Sequence, residues 1–298
     1  MNLSHLYYFK KLAEVKNYTY ASEELFISQP TLSLAISKLE NELGTPLFLR
    51  QKGQVELTAE GQDYYHYVAA ALQMLDRGSH LVKDRVGELN KSIKLGVIYS
   101  SQSRQWSAAI GHFRQSCGDD VLISLKQTTT PGVLRDLKKG TVDVGFSGII
   151  GPDSDLISIP CWSQSVTLAV NKEHPLANRS SISLKELEGE GIVSYRLDGP
   201  LGPELSALIK GYDIDLKSFY TDEISLCSMV AANPNLIAIT CHSWLVDSFK
   251  DEINTIPIEG APKRFRQLYM SYRAEEPKTK IVSDFINLIK GYPFEELE

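Results

Sequence analysis

The sequence predicts a multidomain chain: a small helical head that ends in a hairpin, a long linker helix, and a two-lobed α/β domain. Three observations predict it. Short helical stripes separated by tight breaks fill the first 58 residues, an unbroken seam of 3 and 4 spacings covers 65–89, and strand-like and helix-like runs alternate from residue 91 onward. With 298 residues, 43% apolar and 23% charged, the composition is that of an ordinary globular protein with room for two or three cores.

In the head, Leu3, Leu6, Phe9, Leu12 and Ala13 form one helical stripe. Asn17-Tyr18-Thr19 breaks it, and Thr19 is the expected cap of a short helix reaching Phe26. Ser28 then caps a third helix that has Pro30 in its first turn, buries Leu32, Ile36, Leu39 and Leu43, and ends at Gly44. Its other face carries Ser33, Leu34, Ser37, Lys38 and Asn41, a small polar surface with one leucine. Two short helices joined in this way describe a helix-turn-helix. Leu47–Arg50 and Val55–Leu57, separated by Lys52-Gly53, read as a hairpin, or wing. A generic three-helix bundle with a hairpin is the competing reading.

From Thr58 a linker helix runs to about Leu89. Its seam (Tyr65, Val68, Leu72, Leu75, Ser79, Val82, Val86, Leu89) predicts a coiled-coil contact with a second copy, with packing onto the chain's own C-terminal part as the alternative. Beyond it, strands are expected at 93–98, 121–125, 142–146, 166–170, 191–195, 236–240 and 268–272. Helices open at Ser100–Ser103 and Thr128–Pro131, giving largely parallel sheets in two lobes.

The first 60 or so residues resemble the N-terminal winged helix of LysR-type transcriptional regulators. The resemblance is carried by Leu3, Leu6, Phe9 and Ala21, by Ser28-Gln29-Pro30-Thr31-Leu32-Ser33, Ile36, Leu39-Glu40 and Leu43-Gly44, then by Leu47-Phe48 with Arg50 and by Leu57-Thr58-Ala59-Glu60-Gly61. Asp143–Phe146, Asn171–Leu176 and Leu236–Ile239 extend it through most of the chain. It implies a homodimer or homotetramer with a winged helix-turn-helix head (1–58), a dimerisation helix (59–90) and a periplasmic-binding-protein-like effector domain (91–298). In that domain 91–161 and 267–298 form lobe I and 162–266 lobe II, with crossings near Cys161–Ser163 and Lys263–Gln267. The expected partners are double-stranded DNA carrying an interrupted inverted repeat near a promoter, a small-molecule effector, and RNA polymerase.

Such a recognition helix presents Gln29, Pro30, Thr31, Ser33, Leu34, Ser37 and Lys38 to the major groove. Gln29 suits adenine, Pro30 or Thr31 a thymine methyl, and Ser33, Ser37 and Lys38 phosphates. Leu34 departs from the polar residue common at that place in the family. Arg50 on the wing matches the family's DNA-contacting arginine, against a surface ion pair with Glu56. Charge gives no help: the whole chain carries −6, and residues 1–61 hold six Lys/Arg against seven Asp/Glu.

Effector contacts are expected where strand ends face helix starts, because unpaired backbone N–H groups there attract anions. The candidates are Ser100, Ser101, Gln102, Ser103, Thr128, Thr129, Thr130 and Gly148 in lobe I. Ser194, Tyr195, Arg196, Thr240 and Cys241 are those of lobe II, with Arg196 as counter-charge to an anionic or polar metabolite. For each hydroxyl the competing role is plain helix capping.

A redox sensor built on Cys161 or Cys241 is the alternative within the family, and a solute-binding protein the alternative outside it. The six scattered histidines, with no HExxH, nucleophile elbow, GxGxxG or P-loop, give no catalytic constellation, and no metal or cofactor is expected. Four widely spaced cysteines and the lack of a signal-peptide pattern or a long apolar run predict a cytoplasmic protein without a membrane segment.

Overall fold

The computed structural model describes residues 2–51, 54–85, 91–118, 120–220 and 222–295. They form two compact units, 1–88 and 89–298.

The first unit opens with α1 (Leu3–Val15), α2 (Tyr18–Glu24) and α3 (Gln29–Leu43). Asn17, not Thr19, caps α2: its side chain accepts from the Thr19 and Tyr20 amides, directly after Lys16 closes α1 with a left-handed φ of 55°. Ser28 caps α3 and Gly44 ends it at a φ of 72°, a conformation that suits glycine. Strands β1 (Phe48–Gln51) and β2 (Gln54–Leu57) pair antiparallel as the wing, with Arg50 opposite Val55. Lys52 and Gly53, the expected turn, lie outside the described residues.

Helix α4 (Ala59–Arg85) follows, and the Thr58 hydroxyl ties its start down by accepting from the Gly61 amide and donating to the Pro46 carbonyl. A Cβ at Gly61 would run into the Leu47 carbonyl, so only glycine lets α4 approach the wing this closely. Val68 and Leu72 are buried with Phe9, Leu12, Leu32, Ile36 and Leu39 in the core of the head, and Tyr65 packs against it. The Tyr7 hydroxyl adds a 2.7 Å bond to Asp76. Val68 and Leu72 are therefore buried inside the head, where they have little surface left for the seam expected between copies, and Tyr65 is half-buried against α1. Of that seam Leu75 and Val82 stay exposed, while Val86 and Leu89 lie outside the described residues.

The second unit runs β3 (Ser92–Val97), α5 (Arg104–Cys117), β4 (Leu122–Gln127), α6 (Thr130–Lys139), β5 (Val144–Ser147), β6 (Leu156–Gln164) and β7 (Val166–Asn171). It continues with β8 (Gly191–Tyr195), α7 (Gly202–Leu208), β9 (Asp215–Tyr220), α8 (Glu223–Ala232), β10 (Ile237–Cys241), α9 (Trp244–Asp247), β11 (Ile253–Pro257), β12 (Arg266–Arg273) and α10 (Lys280–Gly291). Two five-stranded sheets result, ordered β4-β3-β5-β12-β6 and β11-β7-β10-β8-β9. They are mixed, not largely parallel: β12 runs antiparallel to β5 and β6, and β7 antiparallel to β10 and β11. Each lobe buries its own core, around Phe113, Phe146, Trp162 and Phe285 in the first and Leu168, Ile192, Leu226 and Ile239 in the second.

The first crossing falls later than expected, and the return falls within the expected Lys263–Gln267 stretch. Strand β12 pairs along the whole of β6, from Arg266 opposite Gln164 to Arg273 opposite Leu156. Trp162, Ser163, Gln164 and Arg266 thus belong to lobe I. The chain crosses at Ser165 and returns just before Arg266.

Candidate functional site

On α3 the buried side is Leu32, Ala35, Ile36 and Leu39. Gln29, Pro30, Thr31, Leu34 and Lys38 are exposed, and Ser33 and Ser37 are half-buried. The helix thus presents the expected set on one outer face. Two of the small side chains are already engaged at its start: the Ser28 and Thr31 hydroxyls lie 2.7 Å apart.

In the second unit a cavity of about 410 Å³ opens between the lobes. Lobe I contributes Ser100, Thr128, Thr129, Thr130 and Arg266 to its wall, and lobe II contributes Tyr195, Arg196, Asp198, Tyr220, Asp222 and Glu223. Five of the expected residues besides Ser100 therefore meet there: Thr128, Thr129, Thr130, Tyr195 and Arg196. Ser101, Gln102, Ser103, Gly148, Ser194, Thr240 and Cys241 do not line it. Their chemistry is spent locally: Ser101 donates to the Ile98 carbonyl, Ser103 caps α5 by accepting from the Trp106 amide, and Ser194 donates to the Ile239 carbonyl.

The two hydroxyl-rich helix starts thus differ. Helix α5 is capped, whereas Thr129, at the N-cap of α6, makes no capping bond although it faces the cavity. A helix start without its side-chain cap leaves backbone N–H groups to be satisfied by something else.

Arg196 is not a spare positive charge. Its guanidinium grips Asp198 through two bonds of 2.8 and 2.6 Å at an exposed site. The buried cation of the cavity is Arg266, whose side chain is 12% exposed. Its Nη1 donates to Ser100 Oγ at 2.9 Å and to Glu223 Oε1 at 2.7 Å. Glu223 also accepts from the Tyr195 hydroxyl at 2.8 Å, and that hydroxyl lies 2.9 Å from Thr240 Oγ1 and accepts from the Cys241 amide. Burial works against the Arg266 charge, and its surroundings, Glu223 first, together outweigh it and hold the guanidinium ionised. Burial likewise pushes the Tyr195 phenol well up, so it stays a donor. The network joins a lobe I strand to a lobe II helix start across the cavity wall.

Three of the four cysteines sit where burial disfavours the thiolate. Burial raises the thiol of Cys161 to about 11 and those of Cys227 and Cys241 to about 12, so the reactive thiolate is disfavoured at neutral pH. Among the described residues no group of three or more His, Cys, Asp or Glu could hold a metal ion, and no helix is long and apolar enough to cross a membrane.

Residues 3–62 match the family of bacterial regulatory helix-turn-helix proteins of the lysR type, and residues 87–292 match the LysR substrate binding domain. The chain belongs to the LysR family of transcriptional regulators. This LysR-type regulator is 26% identical over 297 residues to the Hca operon transcriptional activator HcaR of Escherichia coli, covering 97% of each chain. It is 32% identical to the uncharacterized regulator YybE of Bacillus subtilis over 193 residues, 65% of this chain and 66% of that one. Among solved structures, CbnR complexed with its target DNA matches with a TM-score of 0.74 at 20% identity, over 97% of this regulator and 99% of that chain. The effector binding domain of QuiR in complex with shikimate matches with 0.62 at 18% identity, over 70% and 100%. At these identities the structural likeness speaks for the fold. A DNA-binding head joined to an effector-binding domain sets the LysR-type regulator apart from a solute-binding protein.

Sequence reasoning missed Arg266, Glu223, Asp198, Tyr220 and Asp222. Arg266 and Glu223 are 43 positions apart, and Arg266 and Ser100 are 166 apart, so no local spacing could reveal the network.

Proposed function

We propose that this regulator binds an interrupted inverted repeat as a homodimer or higher homo-oligomer in the cytoplasm. A small polar metabolite bearing a carboxylate or similar acceptor then sets its geometry on DNA. Gln29, Pro30, Thr31, Ser33, Leu34, Ser37 and Lys38 meet the major groove and Arg50 the adjacent backbone or minor groove. The metabolite's acceptor end sits at the start of α6 among Thr128, Thr129 and Thr130, within reach of Ser100. There its negative charge competes with Glu223 for Arg266. The observation that carries this reading is the Arg266–Glu223 pair itself, a charge pair on the cavity wall whose two halves belong to different lobes.

The mechanism follows from population shift. A ligand that binds one lobe arrangement better shifts the population toward it. Passed through α4, that shift changes the spacing of two heads, and with it DNA bending and the access of RNA polymerase.

A thermal-shift panel of metabolites on the full chain tests the ligand class. Carboxylates are expected to raise the melting temperature, and Thr129→Ala to remove that rise while leaving the unliganded value unchanged. Ser103→Ala should do the reverse, lowering the unliganded stability by about 1 kcal/mol through loss of a helix cap and keeping the ligand response. Hits confined to cationic or wholly apolar compounds would contradict the proposal.

A further inference from the structure

We infer that Leu34 reads the methyl group of thymine, making an apolar side chain a base-specific contact of this regulator. The inference rests on α3 entering the major groove, as proposed above.

Leu34 is 58% exposed, whereas Leu32, Ala35, Ile36 and Leu39 complete the buried stripe of α3 without it. It lies four residues after Pro30 and four before Lys38, on one line along the exposed face of the helix. A lone exposed leucine on a protein surface is ordinary; one in the middle of a helix face that meets a base-pair edge is in a different position. Its apolar surface gains only by burial against another apolar group. The base edges of the major groove offer one such group, the C5-methyl of thymine, among donors and acceptors that leucine cannot satisfy. Leucine is thus matched to thymine and mismatched to the other three bases.

The charge of the head points the same way. With six Lys/Arg against seven Asp/Glu in residues 1–61, general attraction to phosphates is weak, and short-range apolar and hydrogen-bond contacts carry more of the recognition.

The test uses the full-length protein and a duplex selected from random DNA for binding to it. Each half-site thymine is replaced in turn by deoxyuridine, which removes only the methyl group, and affinity is read by fluorescence anisotropy. Wild type should lose roughly fourfold per contacted methyl, the effect of one buried methyl-sized group, at one or two positions. Leu34→Ala should lose a similar factor on the thymine duplex and show no further loss with deoxyuridine at those positions. Leu34→Met should keep the sensitivity, and so should Gln29→Ala. Leu34 is not the reader if wild type is indifferent to deoxyuridine throughout, or if Leu34→Ala keeps the full sensitivity. Should Leu34→Ala and Gln29→Ala both bind like wild type, the placement of α3 in the groove fails with it.

Discussion

Arg266 and Arg50 illustrate two uses of one side-chain type. Arg266 is buried and bonded to Ser100 and Glu223, and in the proposed function a ligand carboxylate competes for it with that carboxylate of its own chain. Arg50 belongs to the wing, on β1 opposite Val55, and in the proposed DNA complex its role would be a phosphate contact that does not read sequence. Arg50→Ala is accordingly expected to weaken binding on every duplex alike and to reduce the slope of log affinity against log salt by about one. Gln29→Ala should instead lose discrimination at one base position by about 1–3 kcal/mol. Anisotropy titrations at several salt concentrations, on the selected duplex and on single-base variants, separate the two outcomes. At this scale the ends of α3 were legible from sequence, because Ser28 and Gly44 act through neighbours three or four residues away. The cleft was only half legible: Thr128–Thr130 announce a helix start, whereas Arg266 gains its role from partners far along the chain. Arg196, chosen for its charge, is engaged by Asp198 two residues on.

Helix α4 shows how one periodicity can be divided between two partners. Its 3 and 4 spacing is real, but Tyr65, Val68 and Leu72 spend it on α1 and the core of the head. Among the described residues, Tyr67, Met74, Leu75 and Val82 are the large exposed apolar side chains of α4. At 100° per residue they centre roughly 100° around the helix from the buried three. The homo-oligomer proposed above would use this second stripe, since four large exposed apolar side chains on one face favour burial against an equivalent face. Two substitutions tell the faces apart. Leu72→Ala should destabilise the head by about 2–5 kcal/mol, as large-to-small changes in a core do. Met74→Glu should leave the melting profile of the head intact and move the sedimentation coefficient toward a monomer. An oligomer unaffected by Met74→Glu removes the assignment. The edge strands were hidden for a different reason. Pro160 lies in β6 and Pro257 ends β11, and proline argues against a strand wherever its missing N–H matters. Both strands are edges of their sheets, and a register irregularity between Leu268 and Tyr269 accommodates Pro160 and Cys161.

For the whole molecule, a DNA-reading head and a ligand-binding domain are coupled only if the lobes have two arrangements that the heads can sense. Alternation of strand and helix was enough to foresee two lobes, and the family resemblance a return near Lys263–Gln267, but neither gave the antiparallel run of β12 or the place of Arg266 beside the cavity. That return leaves one member of a buried ion pair on each lobe, and the proposed mechanism rests on it. Breaking a buried pair by removing one charge costs several kcal/mol through the partner left behind, so Glu223→Gln should populate the lobe arrangement that a carboxylate ligand favours. The most direct measurement is the DNA bend angle from circular-permutation mobility on the selected duplex, for wild type and Glu223→Gln without any ligand. A changed bend with half-site affinity retained is the predicted result. An identical bend in the two proteins, with both lobes folded, would contradict the coupling of cleft to DNA.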